Sequence, residues 1–131
     1  MKITFIGAGS SVFAKNVLGD TMLCPCFYDM EIALYDIDAD RLQESFVLIN
    51  KLNESINQSR ATVKKYLGVA ERKAALKGAD FVINAVQIGG YEPCTVIDFE
   101  IPKKYGLRQT IGDTLGIGGV FRGLRTIQFL K

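Results

Sequence analysis

The sequence predicts an α/β fold, in which a doubly wound parallel sheet carries helices on both of its faces. Short apolar runs alternate along the chain with longer segments in which apolar residues recur every three or four positions. A glycine turn directly follows the first apolar run. The chain has 131 residues, of which 48% are hydrophobic, so we expect one domain that spans residues 1–131.

The first half of the chain is predicted to form two strand–helix pairs. Residues 3–6 form a buried strand, a turn follows at 7–11, and a helix runs from residue 12 to about residue 24, where Pro25 stops it. A second strand covers residues 31–35 and ends on Asp36. The next helix has Asp38 as its N-cap and one apolar face, formed by Leu42, Phe46, Ile49, Leu52 and Ile56.

The second half continues the alternation with shorter elements. Residues 61–66 are predicted as a strand and 71–77 as a helix that Gly78 ends. Residues 79–86 are the clearest strand, and their nearly unbroken apolar run is typical of a parallel strand covered on both faces. A partly helical stretch at 95–105, interrupted by Pro102, precedes a weak strand at 110–112, a glycine-rich loop at 116–119 and a last helix.

Composition excludes several classes of function. Lys plus Arg number 16 against 14 Asp plus Glu, and this balance argues against nucleic acid or an acidic membrane as the main partner. The absence of His excludes a His metal ligand and a His general base within the chain. No apolar run approaches the ~18 residues that suggest a membrane span. Three cysteines without a signal peptide, at 24, 26 and 94, favour reduced thiols and a cytoplasmic location.

The first candidate site is the turn after the first strand, with Gly7, Gly9, Ser10, Ser11 and Val12. Gly7 permits the tight turn, Gly9 lets the backbone approach a pyrophosphate, and the helix N-terminus offers N–H groups to the phosphates. Val12 occupies the third-glycine position, so the dinucleotide fingerprint is incomplete. A strand before the turn and a helix after it favour a nucleotide role over a purely structural turn.

Asp36 ends the second strand, about 20 residues beyond the turn, where dinucleotide-binding folds place their ribose acid. Its carboxylate, with Ile37 beside it, would accept hydrogen bonds from the ribose hydroxyls and repel a 2′-phosphate, which favours NAD over NADP. The alternative is that Asp36 only stabilises a local turn, a role that fits Asp38 better. Arg41 is suited to a 2′-phosphate, but we expect it to pair with surface carboxylates.

Further polar candidates follow the later strands. Asn84 interrupts an apolar run, and its hydrogen-bond partner is either loop backbone or the nicotinamide ribose of a cofactor. Gln87 lies in the same loop, at the sheet edge where ligands bind. Asp113 either caps a turn or faces a substrate. The basic residues of the last third are expected on a solvated face; they are Lys103, Lys104, Arg108, Arg122 and Arg125.

Five blocks of the chain have a recognisable order: ITFIGAGS at 3–10, DID at 36–38, QIGGYEPCTV at 87–96, QTIGDTLGIGG at 109–119 and LRTI at 124–127. Together they resemble the NAD- and metal-dependent family 4 glycoside hydrolases, and among them the α-galactosidases. Many Rossmann-type domains share the first block, whereas the blocks at 87–96 and 109–119 are more specific. Ile117 departs from the resemblance, since close relatives often carry Pro there.

The resemblance implies the Rossmann-type NAD-binding part of a longer, homo-oligomeric enzyme that cleaves α-glycosides. In that family, NAD oxidises the sugar at C3, the aglycone is eliminated, water adds at C1 and the hydride returns. A divalent metal, usually manganese, polarises the sugar oxygens. The resemblance places the cofactor loop at Gly7, Gly9, Ser10 and Ser11. It places the ribose acid at Asp36 and a contact with the sugar at Asp113. It leaves the catalytic base and the metal ligands beyond residue 131, so we expect a truncated chain that is inactive alone.

Three other interpretations stay open. The chain could be half of a lactate- or malate-type dehydrogenase, although the blocks at 87–95 and 109–119 argue against this. It could be an S-adenosylmethionine methyltransferase, which also uses a glycine loop and a ribose acid. It could be a complete nucleotide-sensing module without catalysis, although the apolar, uncapped last helix argues against completeness.

Overall fold

The computed structural model describes residues 1–108 and 116–130. The chain divides into two compact units, Met1–Val86 and Gln87–Lys131. The first unit contains β1 Lys2–Ile6, α1 Ser11–Met22, β2 Glu31–Asp36, α2 Ala39–Asn57, β3 Thr62–Leu67, α3 Gly68–Leu76 and β4 Phe81–Asn84. The second contains α4 Val96–Lys104 and α5 Ile117–Leu130. The predicted α/β class is confirmed.

The four strands form one parallel sheet in the order β3-β2-β1-β4. The chain therefore builds outward from β1 to β3 and then crosses back to place β4 on the other side of β1. Such a reversal of strand order leaves a crevice beyond the carboxyl ends of the strands, and dinucleotides bind there. The glycine turn lies at this point, directly after β1.

Helices cover both faces of the sheet in the first unit. The core face packs α1 and α2 against alternate strand residues, and its fully buried members include Phe5, Leu18, Leu34 and Ile49. On the opposite face, the hydroxyl of buried Thr4 donates to the carbonyl of Ala75 in α3, at 2.8 Å. The alternation of β1 side chains between the two faces thus fixes which helices pack on each face.

Helix boundaries follow the local signals. The Asp38 side chain accepts hydrogen bonds from the amides of Asp40 and Arg41, both at 3.1 Å, so the predicted N-cap of α2 is confirmed. The first helix ends before Pro25, as predicted. The third helix begins at Gly68, three residues earlier than the sequence predicts, and ends before Gly78.

The fourth strand differs from its prediction. β4 covers only Phe81–Asn84, and within the described residues it forms an edge of the sheet. Phe81 is 53% exposed and Val82 is 50% exposed, so the expectation of a strand covered on both faces is wrong for this part of the chain. The apolar run is suited to burial, but its composition does not show which helix or strand would pack against it. The weak strand expected at 110–112 lies outside the described residues.

The second unit also departs from the sequence prediction at two points. Pro102 is buried inside α4 and does not interrupt it. It lies in the last turn, where the missing amide removes a single hydrogen bond. The last helix begins at Ile117, so Gly118 and Gly119 belong to its first turn and not to a loop.

Candidate functional site

The turn after β1 is held closely against β2. The amides of Gly7 and Ala8 both donate to the carbonyl of Tyr35, at 3.0 Å each. Gly7 has a φ of 85°, and a β-carbon on it would lie 2.9 Å from the carbonyl of Ala85. Only glycine combines this positive φ with this close approach of backbone. The position of the turn is therefore fixed from two sides.

The N-terminus of α1 leaves donors open beyond this turn. Ser10 is the N-cap residue, and its amide donates back to the carbonyl of Gly7 at 3.1 Å. Within residues 1–108 and 116–130, the amides of Ser11, Val12 and Phe13 have no hydrogen-bond partner. No acidic side chain lies in this first turn. These N–H groups and the helix dipole favour an anion at this end of the helix.

Val12 at the third-glycine position does not disturb this arrangement. Its side chain is 69% exposed, whereas Ala14 is fully buried. The third glycine of the fingerprint serves close packing of helix on strand. Since Val12 points away from the core, the departure from the fingerprint carries no packing cost here.

Asp36 holds the other side of the turn. Its Oδ2 accepts a hydrogen bond from the amide of Gly9 at 2.6 Å, and its Oδ1 accepts from the amides of Ile37 and Asp38 at 2.8 and 3.0 Å. Asp36 therefore performs the local turn role that sequence analysis offered as an alternative, and it also contacts the glycine loop. Three backbone donors fix the carboxylate in one orientation, and Oδ2 retains room for a further donor.

Gly9 is enclosed by two side chains. A β-carbon at this position would lie 2.8 Å from Oδ2 of Asp36 and 3.0 Å from the β-carbon of Arg41. From the sequence, Gly9 is expected to let the backbone approach a pyrophosphate. The structure adds a requirement within the chain itself, because any larger residue would displace the Asp36 carboxylate.

Arg41 and Ser45 of α2 complete the loop contacts. Arg41 donates from Nη2 to the carbonyl of Gly9 at 3.0 Å, and Ser45 donates from Oγ to the carbonyl of Ala8 at 2.6 Å. No carboxylate of the described residues pairs with Arg41, so the expected surface ion pair is wrong. Sequence analysis missed Ser45. The available signal was a hydroxyl residue directly before Phe46 on the apolar face of this helix.

The candidates after β4 have partners within their own units. Asn84 Oδ1 accepts from the amide of Val86 at 3.4 Å, which is the loop-backbone partner of the two alternatives. In the second unit, Gln87 donates from Nε2 to the Thr95 hydroxyl at 2.6 Å. A β-carbon on Gly89, whose φ is 87°, would overlap the Cys94 side chain. Asp113 lies outside the described residues.

Two arginines of α5 are engaged inside the second unit. Arg122 donates to the Thr95 hydroxyl at 3.1 Å, and Arg125 donates from both terminal nitrogens to Asp98, which is fully buried. Donation to the Asp98 carboxylate raises the pKa of Arg125 above its ordinary value. The expectation of a solvated basic face is therefore wrong for these two residues.

The sequence model of the family described as "Family 4 glycosyl hydrolase" matches residues 2–131. The chain belongs to glycosyl hydrolase family 4.

Family 4 relatives cover nearly all of this chain. The alpha-galactosidase of Bacillus subtilis (strain 168) is 60% identical over 129 residues, which are 98% of this chain and 29% of that protein. The alpha-galactosidase of Rhizobium meliloti (strain 1021) is 34% identical, over 96% of this chain and 25% of that protein. An alpha-galacturonidase of Thermoanaerobacter italicus is 37% identical, over 97% and 26%. The chain thus spans under a third of the relatives it matches.

Solved family 4 structures share the fold. A 6-phospho-beta glucosidase from Thermotoga maritima, solved with NAD and glucose-6-phosphate, matches with a TM-score of 0.75 and 28% identity. The match covers 99% of this chain and 30% of that one. The same enzyme has also been solved with manganese, NAD+ and glucose-6-phosphate.

The described residues of this family 4 chain contain no group of three or more Cys, Asp or Glu side chains placed to hold a metal ion. Cys24 and Cys26 are exposed, and Cys94 is half-buried; all three are free. None of the described helices has the length and apolar character needed to cross a membrane.

Proposed function

We propose that this chain binds NAD as the cofactor-binding part of a family 4 glycosidase. One observation carries the proposal: the Asp36 carboxylate is bound to the amide of Gly9, directly beside the open N-terminus of α1. A ribose acid and a phosphate site therefore adjoin each other at the reversal of strand order. The NAD complexes of the Thermotoga maritima relative support the choice of cofactor.

The pyrophosphate would occupy the N-terminus of α1. The open amides of Ser11 and Val12 would donate to the phosphate oxygens, and the helix dipole would favour their charge. Ser10 has no side-chain cap bond, so its hydroxyl is available to the same phosphates. The half-buried position of Ser10 and Ser11 keeps part of this contact away from bulk water.

The adenosine ribose would lie against Asp36. Because three backbone amides already orient the carboxylate, binding requires no reorganisation of this group. Ile37, which is 72% exposed, offers an apolar surface beside it for the adenine. The negative charge of Asp36 would repel a 2′-phosphate, so the proposal includes a preference for NAD over NADP.

The remaining sequence-predicted residues are proposed at the other end of the cofactor. Asn84 is the last residue of β4, and Gln87 follows three residues later in the chain; we assign both to the nicotinamide half. Asp113 is proposed to bind the sugar substrate. The bound NAD would supply a hydride acceptor for the sugar.

For the whole protein, we propose a cytoplasmic, homo-oligomeric hydrolase of α-galactosides that uses NAD and manganese. The identity of 60% to the Bacillus subtilis alpha-galactosidase supports this substrate class. The described residues do not fit a metal site, because they bring no three ligands together, so we assign none of them to manganese.

Calorimetric titration of the purified chain tests the cofactor. We expect NAD to bind more tightly than NADP, and S-adenosylmethionine not to bind. Asp36→Ala should weaken NAD by at least about tenfold, since hydrogen bonds to a charged group contribute roughly 1.5–3 kcal/mol. Asp40→Ala is the matched control, because this exposed carboxylate lies four residues later, in the first turn of α2, and has no side-chain partner among the described residues. Equal losses in both variants, or tighter binding of S-adenosylmethionine, would contradict the proposal.

Hydrolysis provides a separate test. We expect the 131-residue chain, with NAD and manganese added, to release no nitrophenol from nitrophenyl α-galactoside, because it has no His and no described metal site. Asp113→Ala serves as the control. Turnover by the chain that disappears in this variant would mean that a complete active site lies within these residues.

A further inference from the structure

Arg41 lies at the same point of the glycine loop as the ribose acid. The β-carbon of Arg41 and the Oδ2 atom of Asp36 both lie within 3.0 Å of the place where a Gly9 β-carbon would stand. Asp36 contacts the amide of Gly9, and Arg41 contacts its carbonyl. A carboxylate and a guanidinium therefore flank a single residue of the loop.

The guanidinium of Arg41 has unused donors. The bond from Nη2 to the carbonyl of Gly9 is the one hydrogen bond that its side chain makes among the described residues. A guanidinium carries five N–H donors in a fixed plane, which suits two oxygens of a phosphate. The side chain is exposed, so these donors face solvent beside the proposed ribose site.

We propose that Arg41 supplies the cationic half of a latent 2′-phosphate site, which the Asp36 carboxylate keeps closed to NADP in this chain. This inference rests on the proposed NAD function. The 2′-oxygen of a ribose bound at Asp36 lies next to the carboxylate, and a phosphate there would meet its negative charge. Without that charge, the same phosphate would meet the guanidinium and the freed amide of Gly9.

Two features separate this role from a purely structural one. A structural Arg41 would support the loop through the carbonyl of Gly9 and would affect NAD and NADP alike. A residue of the latent phosphate site would change the affinity for NADP alone, and only in variants that lack Asp36. Arg41→Gln distinguishes these roles, because glutamine removes the charge and keeps an N–H donor for the carbonyl.

The test is a calorimetric cycle with NAD and NADP on the full chain. It compares the wild type, Asp36→Ser, Asp36→Ser/Arg41→Gln and Asp36→Ser/Arg41→Lys. The control is Asp36→Ser/Arg60→Gln, which removes an equal charge near the amino ends of the strands, away from the glycine turn. Arg60 precedes β3 and pairs with Asp29, at 2.6 Å. Circular dichroism spectra establish that each variant is folded.

We expect Asp36→Ser to bind NADP at least about tenfold more tightly than the wild type does. Adding Arg41→Gln should remove this gain, Arg41→Lys should keep part of it, and Arg60→Gln should leave it within about twofold. Equal NADP affinity in the Arg41→Gln and Arg60→Gln double variants would overturn the inference while NAD binding by the wild type still stood. A wild type that binds neither dinucleotide would refute the proposed function and this inference together.

Discussion

Replacing Gly9 with Ala perturbs the contact that joins the glycine loop to Asp36, the proposed ribose acid. The β-carbon would lie 2.8 Å from Oδ2 of Asp36 and 3.2 Å from its Cγ. Real β-carbons do not approach an oxygen so closely, so the carboxylate must move. Gly9 does not have a positive φ, and the backbone conformation itself therefore accepts Ala.

The size of the effect follows from what the carboxylate loses. Its 2.6 Å hydrogen bond from the amide of Gly9 is charge-assisted, and such bonds contribute roughly 1.5–3 kcal/mol. We expect Gly9→Ala to lower the free energy of unfolding by about that amount. On the proposed function, NAD affinity should fall by at least about tenfold, because the displaced carboxylate loses the orientation assigned to it toward the ribose hydroxyls.

Chemical denaturation and NAD calorimetry measure the two effects. Gly19→Ala is the matched control: Gly19 lies in α1, a β-carbon there meets nothing within 4 Å, and Ala should stabilise the helix by about 0.5–1 kcal/mol. In an Asp36→Gly background the approach to the carboxylate disappears and only the 3.0 Å approach to the Arg41 β-carbon remains, so adding Gly9→Ala should cost less stability than it does in the wild type. A Gly9→Ala chain with wild-type stability and wild-type NAD affinity would refute the claim that the Gly9 amide anchors the Asp36 carboxylate.

Three further predictions concern other parts of the chain. Gly7→Ala should lower the free energy of unfolding by roughly 3 kcal/mol, because its φ of 85° and the adjacent backbone exclude a side chain, as urea denaturation would measure. Arg125→Met should cost roughly 3 kcal/mol by the same assay, since it leaves buried Asp98 without its partner, and Arg125→Lys should cost less. The hydrogen bond from Lys64 lowers the pKa of Glu31, so this carboxylate stabilises the fold above its ordinary pKa and ceases to do so as the pH falls. The stability difference between wild type and Glu31→Gln should therefore be constant above about pH 6 and shrink below about pH 4, and a constant difference would contradict this.

The first unit was largely predictable because its signals are local. The glycine turn, the Asp38 cap and the break at Pro25 each act within a few residues of their own position, and the structure places the element boundaries there. Alternation of strand and helix then specifies a parallel sheet, because each helix returns the chain to the end of the sheet at which the previous strand began.

The partners of Asp36 and Arg41 were not predictable from the sequence. Both contact Gly9, about 30 residues earlier in the chain, and no local pattern encodes that approach. The carboxylate of Asp36 has two oxygens: Oδ1 stabilises the local turn, and Oδ2 accepts from the amide of Gly9. The local role therefore does not exclude the ribose role, which stays a prediction. Arg41 was expected to pair with surface carboxylates because it lies near the start of a helix, and its exposed position agrees with that expectation although its partner does not.

The second unit shows where composition misleads. Asp98 stands between Ile97 and Phe99 in α4, and a carboxylate flanked by two apolar residues was the available signal for a buried ion pair. Its partner Arg125 lies on another helix, so neither residue identifies the other by spacing. The role of Asp113 stays a prediction, because its position is outside the described residues.

Nuclear magnetic resonance titration of the isotopically labelled chain with NAD tests the central claim most directly. The account predicts that the amide signals of Ser11, Val12 and Ile37 shift most, because these groups line the proposed phosphate and ribose contacts. The amide signals of Arg60 and Thr62, at the amino end of β3 on the opposite edge of the sheet, should stay unchanged. Saturable shifts that cluster at the opposite edge, or none at the glycine turn, would contradict the account.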